Sequence, residues 1–143
     1  MALKYKGSSL IREPDNKTRI TDSSHVWEEV SSIIGDKMQE QECFCMITLD
    51  GASNIIATRI IHIGTVNQSL VHPREVFRPA LMDNAVGLII SHNHPSGTLE
   101  ASEADKRITD RLLEASKIMG IELLDHVIVT KEGYYSFRDQ YLL

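Results

Sequence analysis

Only two cysteines occur in this chain of 143 residues, Cys43 and Cys45, and a single residue separates them. That is too close for an ordinary disulfide. No cross-link framework is therefore expected, and both should be reduced structural thiols. Long apolar runs are missing as well: no stretch approaches the roughly 20 apolar residues of a membrane-crossing helix, so no membrane role is expected. The opening segment "MALKYKGSSLIREPDNKTRI" lacks the apolar centre of a secretory signal, and the expected location is the cytoplasm. Basic clusters are absent too. The 15 Lys and Arg are scattered and the net charge is −5. With no basic block to track phosphates, charge does not support DNA association, although a patch assembled from distant residues stays open.

What is present suits one globular domain. Apolar residues make up 42% of the chain, enough for a single core at this length. Residues 1–22 are polar and contain Pro14, Asp15 and Asn16, which suggests an N-terminal arm over 1–23 followed by a domain over 24–143. "SSHVWEEVSSIIGDKM" carries Val26, Trp27, Val30, Ile33, Ile34 and Met38 at helical spacing, with Ser23 or Ser24 as its cap. Trp27 should pack that helix on a sheet. "ECFCMITLD" and "NIIATRIIHIGTV" read as a β-hairpin around the turn "DGASN". "HPREVFRPALMDN" reads as a helix with Pro73 near its first position, interrupted or kinked at Pro79. "AVGLII" is continuously apolar, as a buried central strand would be.

"SEADKRITDRLLEASKIMG" is the clearest helix, with Ile108, Leu112, Ala115 and Met119 as its stripe and Gly120 as its stop. "ELLDHVIVT" and "YYSF" are strands flanking "KEG". The order of elements suggests an α/β sandwich around a mixed β-sheet. His92 and His94 then fall at the C-terminal edge of the central strand, where ligands gather in open α/β sheets.

The stretch "SHNHPSGTLEASEAD" directly follows that strand. In extended chain, residues i and i+2 point the same way. His92 and His94 can aim both imidazoles at one point, with Asn93 pointing away. Pro95 and Gly97 turn the chain, and Asp105 returns a carboxylate from the first turn of the next helix. Two nitrogens and an oxygen form a frequent catalytic zinc set, with a fourth position left for water. Such a metal lowers the pKa of water and polarises a carbonyl. Ser102 and Asp105 also fit a helix cap at S-x-x-D spacing. The two roles are compatible, since the cap fixes where the helix starts and hence where Asp105 lies. Ser102 could also donate a hydrogen bond to a developing oxyanion.

"SHNHPSG…S…D" resembles the JAMM metal signature of JAB/MPN-domain metalloproteins, and "VHPREVF", "HNHPSG" and "LLDHVIV" together resemble the RadC branch. The resemblance spans roughly 24–143. It implies a cytidine-deaminase-like, three-layer α/β/α fold and a zinc hydrolase site holding one Zn²⁺ per chain. His92, His94 and Asp105 would be the ligands, and Ser102 would help stabilise a tetrahedral intermediate. It also implies an upstream glutamate as general base, just ahead of an apolar strand. "QECFCMITLD" makes Glu42 that candidate, with Glu75 in "HPREVF" as its rival. RadC-like proteins often carry an N-terminal helix-hairpin-helix segment, for which residues 1–23 are too short, so a minimal form is expected.

The function expected from this combination is amide or isopeptide hydrolysis of a peptide or isopeptide substrate by metal-activated water. Two alternatives remain: a DNA-repair role with nuclease or DNA-linked activity, and a non-catalytic metal-binding interaction module. The contiguous letters "HNH" do not favour the nuclease, whose residues of that name are dispersed over a ββα unit. A zinc deaminase needs H-x-E and P-C-x-x-C, and the chain has neither. Among other marked residues, His72 reads as a turn or cap residue and His62 as an exposed strand residue. Asp125 and His126 read as a hydrogen-bonded structural pair, or as a contact to the ligands of the metal site.

Overall fold

A computed structural model describes residues 3–6, 9–67 and 69–143. Among them, seven strands form one mixed sheet: β1 (Leu3–Lys6), β2 (Ser9–Arg12), β3 (Cys43–Leu49), β4 (Ile55–Ile63), β5 (Gly87–Asn93), β6 (Glu122–Val129) and β7 (Tyr134–Ser136). The spatial order is β1-β2-β4-β3-β5-β6-β7. The pair β5/β6 is parallel and the other neighbours are antiparallel. Helix α1 (Ser23–Ile34) covers one face, while α2 (Pro73–Met82) and α3 (Glu103–Met119) cover the other. This is the three-layer α/β sandwich expected from the sequence. No helix among the described residues is long and apolar enough to cross a membrane.

The period of two along the strands divides the core between the layers. In β3, Cys43, Cys45, Ile47 and Leu49 face α1 with Val26, Val30, Ile33 and Ile34. Phe44 and Met46 face the opposite layer, with Leu88 and Ile90 of β5 and with Val76, Phe77, Ile108 and Leu112 from α2 and α3. Both cysteines are free and buried on the α1 side.

Several local expectations shift. Helix α1 is capped by Asp22, whose carboxylate accepts from the Ser24 N–H at 2.8 Å, rather than by Ser23 or Ser24. It ends at Gly35, which takes a positive φ of 58°, and a 3₁₀ turn over Gly35–Gln39 then brings Met38 into the core. Helix α2 runs through Pro79 to Met82. The donor that proline lacks would serve the carbonyl of Glu75, an exposed residue that water reaches, so the helix survives. On α3 the buried stripe is Asp105, Ile108, Thr109, Leu112 and Ser116, and Met119 is exposed. Ala115 is partly buried against the same core, so the expected stripe holds as far as residue 115 and fails only at Met119. Part of the arm expected over 1–23 is in the sheet: β2 pairs with β4, and Ile11 is fully buried. Residues 1, 2, 7 and 8 of that arm lie outside the described residues.

A buried ion pair ties α2 to two interior strands. Arg59 of β4 grips Asp83, the residue closing α2, with Nη1–Oδ2 at 2.5 Å and Nη2–Oδ1 at 2.8 Å, and Thr48 of β3 donates to the same carboxylate at 2.7 Å. Removing one partner of such a pair leaves the other charge buried and alone. Asp83→Ala should therefore destabilise the protein by about 3 kcal/mol in urea unfolding. A loss below ~1 kcal/mol would mean that water takes over the solvation of Arg59.

Candidate metal centre

His92 is the penultimate residue of β5, and His94 follows the strand by one residue. Alternation sends both side chains to the α3 face, as the sequence predicts. A tight turn follows, with the Gly97 N–H donating to the His94 carbonyl at 3.0 Å. Gly97 adopts a φ of 86°, which suits glycine. The chain then reaches Ser102, the N-cap of α3. Its hydroxyl accepts from the Asp105 N–H at 3.0 Å, and the Asp105 carboxylate accepts from the Ser102 N–H at 2.8 Å. This reciprocal cap holds the Asp105 carboxylate with Oδ1 towards His92 and Oδ2, the oxygen that also serves the cap, towards His94.

The three side chains converge. His92 Nε2 lies 2.9 Å from Asp105 Oδ1, His94 Nε2 lies 3.2 Å from Oδ2, and the two Nε2 atoms are 3.0 Å apart. One ligand atom from each residue falls within a sphere of contact of 4.8 Å, so the set could hold a metal ion. The donor chemistry fits zinc: two imidazoles and one carboxylate. Hydrogen bonding also prepares His94. Its Nδ1 is 2.7 Å from the Thr98 carbonyl oxygen, which can only accept. In the neutral ring the proton therefore sits on Nδ1 and the Nε2 lone pair faces the other two ligand atoms, whereas the protonated ring also carries a proton on Nε2 that it donates to Asp105.

Electrostatics follow from this proximity. Burial pushes the Asp105 carboxyl up, but hydrogen bonds from His92 and His94 outweigh it and hold the group far below the usual carboxylate range. His94 is raised above its ordinary 6.5, chiefly by the hydrogen bond to Asp105, against the effect of burial. The depressed Asp105 contributes stability that is full above 3.8 and is lost as pH falls through its lowered value. The raised His94 contributes stability that is full below 6.5 and is lost as pH rises through its raised value. In chelator-treated protein this pair should therefore contribute most between pH 3.8 and 6.5. Zinc must displace the His94 proton, so the Tm gap between zinc-loaded and chelated protein should widen from about pH 6 to about pH 8. Melting curves at the two values check this; a constant gap would contradict it.

Glu42 and Ser102 line one cleft of about 630 Å³ together with His94, Asp105 and Val66. Glu42 directly precedes β3, and one of its oxygens accepts from the Val66 N–H at 2.7 Å. Register explains its position. Phe44 of β3 pairs with His92 of β5, so Glu42, two residues earlier, lies on the same face beside His94. Glu75 is exposed in the first turn of α2 and is not among the described residues that line the cleft. His72 is the N-cap of α2 without a side-chain capping bond. His62 is partly exposed and contacts the Thr65 carbonyl at 3.1 Å.

Two residues matter more than their sequence context indicates. Asn93 points to the opposite face, where its amide oxygen accepts from the Cys43 N–H at 2.6 Å and its amide nitrogen donates to the carbonyls of Met38 and Gln41, both at 2.7 Å. It clamps the backbone on both sides of Glu42. His126 of β6 is fully buried and touches His92, Nε2 to Nδ1 at 2.8 Å. Its neighbour Asp125 faces away, accepting from Ser136 Oγ at 2.6 Å and the Arg138 N–H at 3.0 Å. Of the two, only His126 reaches the ligands. The alternation of "DHVIV" separates the two faces, but nothing local says which one meets His92.

A family model described as "RadC-like JAB domain" matches residues 20–142. The chain belongs to the RadC-like JAB domain family. A "UPF0758 protein" of Methanospirillum hungatei is 48% identical over 124 residues, covering 85% of this chain and 54% of that protein. One from Thermotoga maritima is 48% identical over 101 residues, covering 71% and 46%. One from Pelodictyon phaeoclathratiforme is 40% identical over 125 residues, covering 87% and 55%. This RadC-like JAB domain thus spans about half the length of the curated relatives it matches.

Proposed function

We propose that the chain is a zinc-dependent hydrolase of the JAMM type that cleaves an amide or isopeptide bond. The observation that carries this reading is that Glu42 and Ser102 line the same cleft as His94 and Asp105. Both groups have a structural use, Ser102 as the α3 cap and Glu42 on the Val66 N–H, and their placement beside the candidate ligands supports a catalytic one. When bound, zinc supplies a Lewis acid and a water of lowered pKa.

The residues divide the remaining work. His92, His94 and Asp105 hold the ion. Glu42 keeps one oxygen on the Val66 N–H and has the other with which to take a proton from the attacking water. It then hands that proton to the leaving amine. The Ser102 oxygen serves the cap as acceptor, and its hydroxyl proton meets no acceptor among the described residues. It can donate to the oxygen that becomes negative as the carbonyl carbon turns tetrahedral. The second reading, a DNA-linked role, draws no support from the lining of this cleft, which includes Glu42, Glu100 and Asp105.

The test is to incubate zinc-loaded protein with a mixed library of peptides and ε-lysyl isopeptides and follow new amine termini by mass spectrometry. Chelator-sensitive cleavage is expected. Full zinc occupancy without cleavage across the library would sink the hydrolase reading in favour of an interaction module. Cleavage of duplex DNA in a parallel reaction, with none of the peptide library, would turn it into a nuclease.

A further inference from the structure

The ring nitrogens at the site can be followed one proton at a time. On α3, the hydroxyl of Thr109 lies 2.9 Å from the carbonyl oxygen of Asp105, one turn back along the helix. A carbonyl only accepts, so the single hydroxyl proton of Thr109 is committed there. The same Oγ1 lies 2.5 Å from Nδ1 of His126. With its proton already used, Thr109 can only accept from that nitrogen. His126 therefore carries its proton on Nδ1 and presents a bare Nε2. That Nε2 is 2.8 Å from Nδ1 of His92, so the proton between them belongs to His92. A neutral His92 protonated on Nδ1 has its lone pair on Nε2, the atom that faces Asp105 and His94.

We propose that Thr109 and His126 are positioning residues that set the tautomer of His92, turning its Nε2 lone pair towards the metal position. This rests on the reading of His92 as a ligand and not on hydrolysis. The opposite polarity would put the His92 proton on Nε2, where it blocks ligation. The relay starts on the Asp105 carbonyl and ends on His92, so it also ties the ligand carried by the helix to a ligand carried by the strand. Packing keeps its middle member in place. The His126 ring stacks on Phe137 with centroids 4.5 Å apart and meets the edge of Phe44 at 6.5 Å. His126, Thr109 and His92 are all at most 2% exposed, so water does not offer an alternative partner.

Thr109→Val, Thr109→Ser and the parent protein should be compared by zinc competition against a chromophoric chelator. Valine keeps the shape and removes the acceptor, and zinc affinity should fall by about 10- to 100-fold. Serine restores the acceptor and should bind within a few-fold of the parent. In the zinc-loaded parent, ¹⁵N spectra of the histidine rings should show a protonated Nδ1 on both His92 and His126, with Nε2 metal-bound on His92 and unprotonated on His126. Thr109→Val affinity equal to the parent's, or a proton on Nε2 of His126, overturns the proposal. Should Thr109→Val fail to fold, the ring spectra of the parent decide alone. A parent protein that binds no zinc would instead remove the metal reading itself, a failure separate from that of the relay.

Discussion

Zinc content should fall from one ion per chain to background when His92 and His94 are both replaced by alanine. In the proposed site the two imidazoles supply two of the three ligands, and the remaining carboxylate alone would not retain zinc. Metal analysis after desalting checks this, and undiminished zinc in the double variant would remove the ligand assignment. The substitution also strips Asp105, which is 3% exposed in the parent, of both histidine partners and leaves it the Ser102 N–H. A buried carboxylate in that position is costly, about 3 kcal/mol or more. The milder His94→Ala, which removes the more exposed of the two rings, serves as the folded control. It should bind zinc weakly and keep its near-ultraviolet spectrum.

Glu42→Gln should leave zinc bound and reduce peptide or isopeptide cleavage by roughly 100- to 10,000-fold, the usual contribution of a positioned general base. Glutamine has the same length, and its amide oxygen can still accept from the Val66 N–H, so the loop keeps its anchor. What it loses is the ability to take a proton. Zinc occupancy and cleavage rate, measured on the same preparation, separate this from a structural effect. Glu75→Gln, on the exposed face of α2, should be indistinguishable from the parent. If the outcomes are exchanged, the base is on α2. The Asn93 clamp suggests why Glu42 is well held: three hydrogen bonds to Met38, Gln41 and Cys43 fix the chain on either side of it.

Much of the site is local and so could be read in one dimension. His92, Asn93 and His94 alternate because extended chain has a period of two. Ser102 and Asp105 form a reciprocal cap because a helix start leaves unpaired N–H groups at that spacing. The turn at Pro95–Gly97 joins the two. Helical periodicity likewise marks α3, and short apolar, β-branched runs mark β3, β4 and β5. The helix start at Asp22 and the continuation through Pro79 were not legible. Short polar residues compete for a cap at neighbouring positions, and whether a proline breaks a helix depends on which carbonyl it orphans and whether water reaches it.

The sequence by itself determined the candidate ligand triad and its helix cap, which depend on spacing within one segment, and the layered α/β plan, which follows from the order of elements. Only the tertiary structure decided what surrounds the triad. The antiparallel register of β3 on β5 puts Glu42 rather than Glu75 beside His94. The parallel register of β6 on β5 pairs Ile90 with His126 and so brings that ring against His92. Both placements depend on which strands become neighbours and in what alignment. A change of one residue in either register would turn the side chain to the other face of the sheet.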